Sequence, residues 1–168
     1  MKFAKTSLKA ALAAVGMVAA SSAFAGGYSI AGGGTTATFS GPTYASYLGV
    51  SLPCIATFYL SLNSGGATAR VTAATFADYP PATGCSKITT NLSGSTTWAV
   101  STPSGGNLTI SGISVTIPFL GVTCTGSVSG TLNNSLSSGD FTFSGSLSPG
   151  CGVGSNPSLT SSPKVTWF

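Results

Sequence analysis

Residues 107–132, NLTISGISVTIPFLGVTCTGSVSGTL, leave this chain little choice of fold. In the second half, Val122, Cys124, Gly126, Val128, Gly130 and Leu132 fall on one side of an extended chain. Thr123, Thr125, Ser127, Ser129 and Thr131 fall on the other. A period of two is what a strand with one buried and one wetted face requires. The first half carries Leu108 and Ile110, then Ile113, Val115 and Ile117, so the phase slips by one at Ser111-Gly112. Such a slip marks a bulge or a corner. Pro118 to Gly121 then supplies a turn. The stretch reads as the central antiparallel pair of an all-β domain, and its wet face is made of hydroxyls rather than charges.

The rest of the chain follows the same grammar. Residues 26–34 are glycine-rich and read as a loose start, with a first strand at 35–40. Residues 44–52 are apolar and aromatic, and Pro53 marks the beginning of a strand in which Cys54, Ala56, Phe58, Leu60 and Leu62 alternate with polar neighbours. Asn63-Ser64-Gly65-Gly66 is a turn, and 67–76 returns as the hairpin partner. Asp78-Tyr79-Pro80-Pro81, with Gly84, makes a rigid loop leading to Cys85. Strands are expected at 87–92, 96–101 and 141–147, a turn at 133–139, a stapled loop at 149–152 and a short closing strand at 164–168. No helical period occurs after residue 25. Turn signals every eight to twelve residues or so belong to a sandwich or barrel. The expected fold is therefore an antiparallel β-sandwich, Greek-key-like or a partly open barrel, over residues 26–168.

Residues 1–25 stand apart. Lys2, Lys5 and Lys9 precede an apolar run at 10–20, and Ala23-Phe24-Ala25 offers a small-x-small cleavage site, the pattern of a bacterial secretory signal peptide. The run is too short to span a bilayer. Cleavage would leave 143 of the 168 residues, one ordinary domain. It would also leave Arg70, Lys87 and Lys164 against Asp78 and Asp140, a net +1 rather than +4. A nucleic-acid partner is excluded, because no basic patch remains to neutralise phosphates. No charged residue occurs in 88–139, although about a quarter of residues are charged in an ordinary soluble protein. Cys54, Cys85, Cys124 and Cys151 all lie outside the leader. An even count in an exported chain argues for two disulfides. Three pairings are possible; 54–85 with 124–151 is favoured, because each closes a loop of about thirty residues between neighbouring strands. The absence of histidine and of any CxxC spacing argues against a metal.

Catalysis has little to work with. Without histidine or glutamate, Ser-His-Asp and Cys-His sites are impossible. Asp78 and Asp140 could pair as glycosidase carboxylates do, but each sits at a turn, where aspartate commonly binds backbone. A Ser-Lys dyad using Lys87 or Lys164 competes with the ordinary role of lysine at a strand edge. Gly32-Gly33-Gly34 has neither the lysine nor the helix of a phosphate loop. Phe141 and Phe143 read as core. Tyr44, Tyr47, Tyr59, Tyr79 and Trp98 could form a sugar-stacking platform, though tyrosines scattered on a sandwich usually pack with a wet hydroxyl. The threonine runs at 35–38 and 123–125 are too far apart for a flat ice-binding array, and β-propensity explains them. The expectation is a protein that is not an enzyme and holds no cofactor.

Across roughly 39–168 the chain resembles the secreted alkane-oxidation activator proteins of Gram-negative bacteria, the PraB-like family. Ser51-Leu52-Pro53-Cys54, Gly84-Cys85, Ser111-Gly112-Ile113 leading into Val122-Thr123-Cys124, and Ser144-Gly145-Ser146-Leu147 before Cys151 carry the resemblance. It implies a non-enzymatic protein exported through the periplasm to the cell surface or medium, which assists growth on long-chain alkanes by promoting contact with a hydrocarbon or lipid surface. The competing expectation is a self-associating fimbrial or biofilm-matrix subunit, since uncharged, threonine-rich strands favour edge pairing. Two further readings are an eight-stranded outer-membrane barrel and a lipocalin-like carrier.

Overall fold

A computed structural model describes residues 26–81, 84–134 and 138–168; the proposed leader, 1–25, lies outside the described residues. Twelve strands account for most of the chain: β1 (Tyr28–Ile30), β2 (Thr36–Tyr47), β3 (Val50–Leu62), β4 (Ala69–Asp78), β5 (Thr89–Thr90), β6 (Trp98–Val100), β7 (Asn107–Ile117), β8 (Val122–Asn133), β9 (Asp140–Leu147), β10 (Cys151–Ser155), β11 (Leu159–Ser162) and β12 (Val165–Trp167). Three single 3-10 turns, at Ala31–Gly33, Cys85–Lys87 and Pro118–Leu120, are the helical elements among the described residues.

The β7–β8 hairpin forms where the alternation placed it. Ile117 faces Val122 at one end and Asn107 faces Thr131 at the other. The register shifts between Ser111 and Ile113. Gly112, at φ 78°, is the bulge residue, a backbone conformation that a side chain would strain. Pro118–Leu120 makes the turn, and Gly121 leaves it at φ 61°.

Instead of two open sheets, the strands close into a barrel of eight staves. The ring runs β2, β3, β4, β6, β7, β8 and β9, and its last stave is shared by β10 and β11. Both pair with β9 on one side and β2 on the other. What closes the ring is β2, which pairs with β3 from Thr36 to Tyr47 and still offers its other edge. Its Gly41-Pro42 step falls where the neighbouring stave breaks between β10 and β11. Asn156 N donates to Pro42 O there, at 2.9 Å, and a Cβ on Gly41 would lie 2.5 Å from Ser158 O. A sandwich has edge strands to protect; a closed barrel removes most of them.

Other expectations need smaller corrections. Pro53 does not begin a strand but lies inside β3, facing Tyr44 of β2. It tolerates that place because pairing with β4 starts only at Cys54. The strands expected at 87–92 and 96–101 shrink to β5 and β6, which lie end to end along β7. The supposed loose start contains β1, which pairs with β12. The stapled loop expected at 149–152 is a turn at Pro149-Gly150 that runs into β10 at Cys151.

The barrel has two different ends. At the mouth are the β2–β3 turn (Leu48-Gly49), the β7–β8 turn and the β9–β10 turn. At the opposite, closed end the β1–β12 ribbon lies across the barrel, Tyr28 opposite Trp167. The interior between them is filled by inward residues of every stave. Phe58 sits in its middle, 6.1 to 6.4 Å edge-on from the rings of Phe76, Trp98 and Phe143.

Candidate functional site

The possible catalytic groups are scattered. Asp78 lies at the mouth end of β4, where its Oδ1 accepts from the N–H groups of Cys85 (2.7 Å) and Ser86 (3.3 Å). Asp140 lies at the other end, opposite Asn133, and accepts from the Ser138 hydroxyl at 2.8 Å. The two carboxylates therefore cannot share a substrate. Lys164 donates to Asn134 O at 3.3 Å, and Lys87 is exposed. Among the described residues, no three of His, Cys, Asp and Glu gather as metal ligands. No buried side-chain polar atom there lacks a partner. Burial pushes the Tyr28 hydroxyl well above the ordinary tyrosine range, and it donates to Ser101 O at 2.5 Å.

Both disulfides, Cys54–Cys85 and Cys124–Cys151, are formed in the favoured pairing and sit in the mouth half of the interior. The second joins β8 to β10 across β9, so its strands are not immediate neighbours. The first anchors the Cys85–Lys87 turn beside the mouth.

The interior is apolar and nearly full. A gap of about 70 Å³ lies in the mouth half, between Phe76, Trp98, Ile113, Ile117, Val128 and Leu147 among others. A second, of about 30 Å³, lies near Leu60, Val71 and Leu132. A cavity of about 150 Å³ is what admits a benzene, so neither gap is a carrier pocket for a long chain. The lipocalin-like reading fails on volume.

The wall is apolar inward and hydroxylated outward: Thr123, Thr125, Ser127, Ser129 and Thr131 are exposed, while Val122, Cys124, Val128 and Leu132 are buried. Thr116 and Thr123 hydroxyls meet across the outer face at 2.9 Å. A transmembrane barrel has the opposite polarity, with an apolar band facing lipid and a polar lumen. No helix among the described residues is long and apolar enough to cross a membrane. The suggested aromatic platform also dissolves, because Trp98 is buried inside and Tyr59 faces out from the middle of the wall.

Most of what remains exposed and apolar gathers at the mouth, with Phe168 at the closed end and Tyr59 on the wall as the exceptions. Leu48 is 84% exposed, Phe119 65%, Val50 47% and Tyr79 45%. Leu48 and Val50 belong to the β2–β3 hairpin, Phe119 to the β7–β8 turn and Tyr79 to the chain leaving β4. In the ring these hairpins lie on opposite sides. Sequence reasoning missed this rim because 44–52 read as one apolar segment. The available signal was Leu48-Gly49, a two-residue turn between runs of similar length.

Fold and surface together define a small, disulfide-stapled antiparallel barrel with a packed interior and a nearly uncharged wall, which meets other matter through its outside. The family described as "Alkane oxidation protein activator PraA/PraB-like" matches residues 1–168, and the chain belongs to that family. No curated protein and no solved structure matches it.

Proposed function

We propose that this protein is an exported, non-enzymatic, surface-active factor that assists growth on long-chain alkanes by promoting contact between the cell and the hydrocarbon. The observation that carries this reading is the wall itself. Residues 88–139, which supply β5 to β8, bear no charge, and their outward groups are hydroxyls and glycine backbone. Withdrawing an ion from water is costly, and withdrawing a hydroxyl much less so, so such a wall can approach oil at small electrostatic cost. Two disulfides fit an oxidising, extracytoplasmic setting, and membership of an alkane oxidation activator family fits the substrate class. Interfacial tension and hexadecane emulsification with the purified protein test the reading. Activity no greater than that of an inert secreted protein of equal size sinks it.

One observation favours the second reading, a strand-pairing structural subunit. From Thr72 to Asp78, β4 pairs with β3 alone, because β6 reaches only Ala69 to Val71. That short edge could accept a strand from another copy. Electron microscopy of secreted material distinguishes the two, since a subunit gives fibres.

A further inference from the structure

We infer that the mouth of the barrel is the face that enters oil, with Leu48 and Phe119 as its two anchors and a liquid hydrocarbon surface as its occupant. The inference rests on the surface-active reading and adds orientation and residues to it.

The argument begins with Leu48. It is the one non-glycine residue at positive φ among the described residues, at 50°, and it is followed by Gly49 at 81°. Tyr47 and Val50 pair directly across these two positions. A two-residue hairpin with positive φ at both central positions is a type I′ turn, whose first position favours asparagine, aspartate or glycine. Leucine is poorly suited to it, because its Cβ crowds the backbone. Here it is also the most exposed large apolar side chain in the barrel. Folding gains nothing from either circumstance. A residue held in an unfavourable backbone state at a tip is a pointer to function.

Three further observations indicate what the leucine meets. Phe119 projects from the turn on the opposite side of the mouth, so one flat surface touches both tips. The charges Arg70, Asp140 and Lys164 lie in the closed half, away from that surface. Asp78 and Lys87 lie toward the mouth, but Asp78 is occupied by two backbone N–H groups, and a lysine stem can lie along an apolar phase with its ammonium in water. A planar, uncharged, apolar surface satisfies all three, and a liquid alkane, the compound class named in the family's description, presents one.

The test measures adsorption of the full-length, purified protein to hexadecane droplets, alongside thermal unfolding. Leu48→Asn and Phe119→Ser should each weaken adsorption about tenfold or more, and together about a hundredfold. Leu48→Asn should unfold no earlier than the parent, because asparagine suits the turn better, so its loss of adsorption cannot be blamed on misfolding. Phe168→Ser removes an equally apolar, 57% exposed side chain at the closed end and should leave adsorption unchanged. If the parent adsorbs and all three variants adsorb alike, the mouth is not the contact face, although the surface-active reading survives. A parent that does not adsorb overturns both. Tighter binding to phospholipid vesicles than to hexadecane, or a dimer that Leu48→Asn dissociates, assigns the rim another occupant and overturns the inference.

Discussion

The two ends of the barrel are built from the same residue types and handle them in opposite ways. At the closed end the polar atoms are used internally. The Asn134 side chain donates to Trp167 O at 2.6 Å and accepts from Trp167 N at 2.9 Å. Trp167 Nε1 donates to Leu132 O at 2.8 Å. The buried Ser161 hydroxyl accepts from Val165 N and donates to Ser138 O. At the mouth, covalent links take over, and large apolar side chains stand in the open. The closed end shows that this chain can cover its hydrophobic groups when it has strands to lay over them. Exposure of Leu48, Val50, Tyr79 and Phe119 sets the mouth apart from the closed end, where Phe168 is the one large apolar side chain in the open among the described residues.

Four variants sharpen or break this contrast. Phe58→Ala should be the most damaging, at about 3–5 kcal/mol, because Phe58 borders both interior gaps and supports both ends. Urea unfolding should show the loss as one cooperative transition. A split transition would mean that the ends fold independently. Replacing Cys54 and Cys85 together by alanine opens a link across 31 residues and should remove about 3–4 kcal/mol. Amide exchange should quicken in the mouth half of β3 and β4 before it does in β1 and β12; uniform quickening breaks the division. Asn134→Ala leaves the Trp167 backbone without its side-chain partner and should cost about 1–3 kcal/mol. Its signature is faster exchange at the closed end with hexadecane adsorption unaltered. Tyr28→Phe should cost least, about 1 kcal/mol at neutral pH. It also carries a pH signature. The folded state holds the Tyr28 proton above the pH at which an unfolded chain begins to release it. Stability is therefore full below about pH 10 and falls above it, by at most about 1.4 kcal/mol per pH unit. The phenylalanine variant should lose that alkaline contribution in melts recorded from pH 8 to 11.

Legibility in the sequence tracked local regularity. The β7–β8 hairpin and β9 were readable because their strands alternate with a period of two, and the Gly112 bulge because it breaks that period. The disulfide pairing was readable from loop lengths. Ring closure was not. It depends on β2, whose alternation is interrupted at Gly41-Pro42, and on β10 and β11, of five and four residues. Cys151-Gly152-Val153-Gly154 carries too few side chains to signal a strand, and β1, three residues between glycine runs, is too short to show a period. β10 and β11 become strands because β2 and β9 supply hydrogen-bond partners on both sides, and β1 because β12 does so on one; no local pattern records either. The mouth rim escaped for a related reason: exposure is decided by where the ring ends.

The β1–β12 ribbon has a consequence for how the molecule is carried. Because Tyr28 and Trp167 run side by side in antiparallel fashion, the chain enters and leaves the barrel on the same side, away from the rim. With the rim seated on a droplet, both attachment points would face the aqueous phase. A tether, label or fusion joined at either one would then work as a handle, leaving the opposite face free to grip.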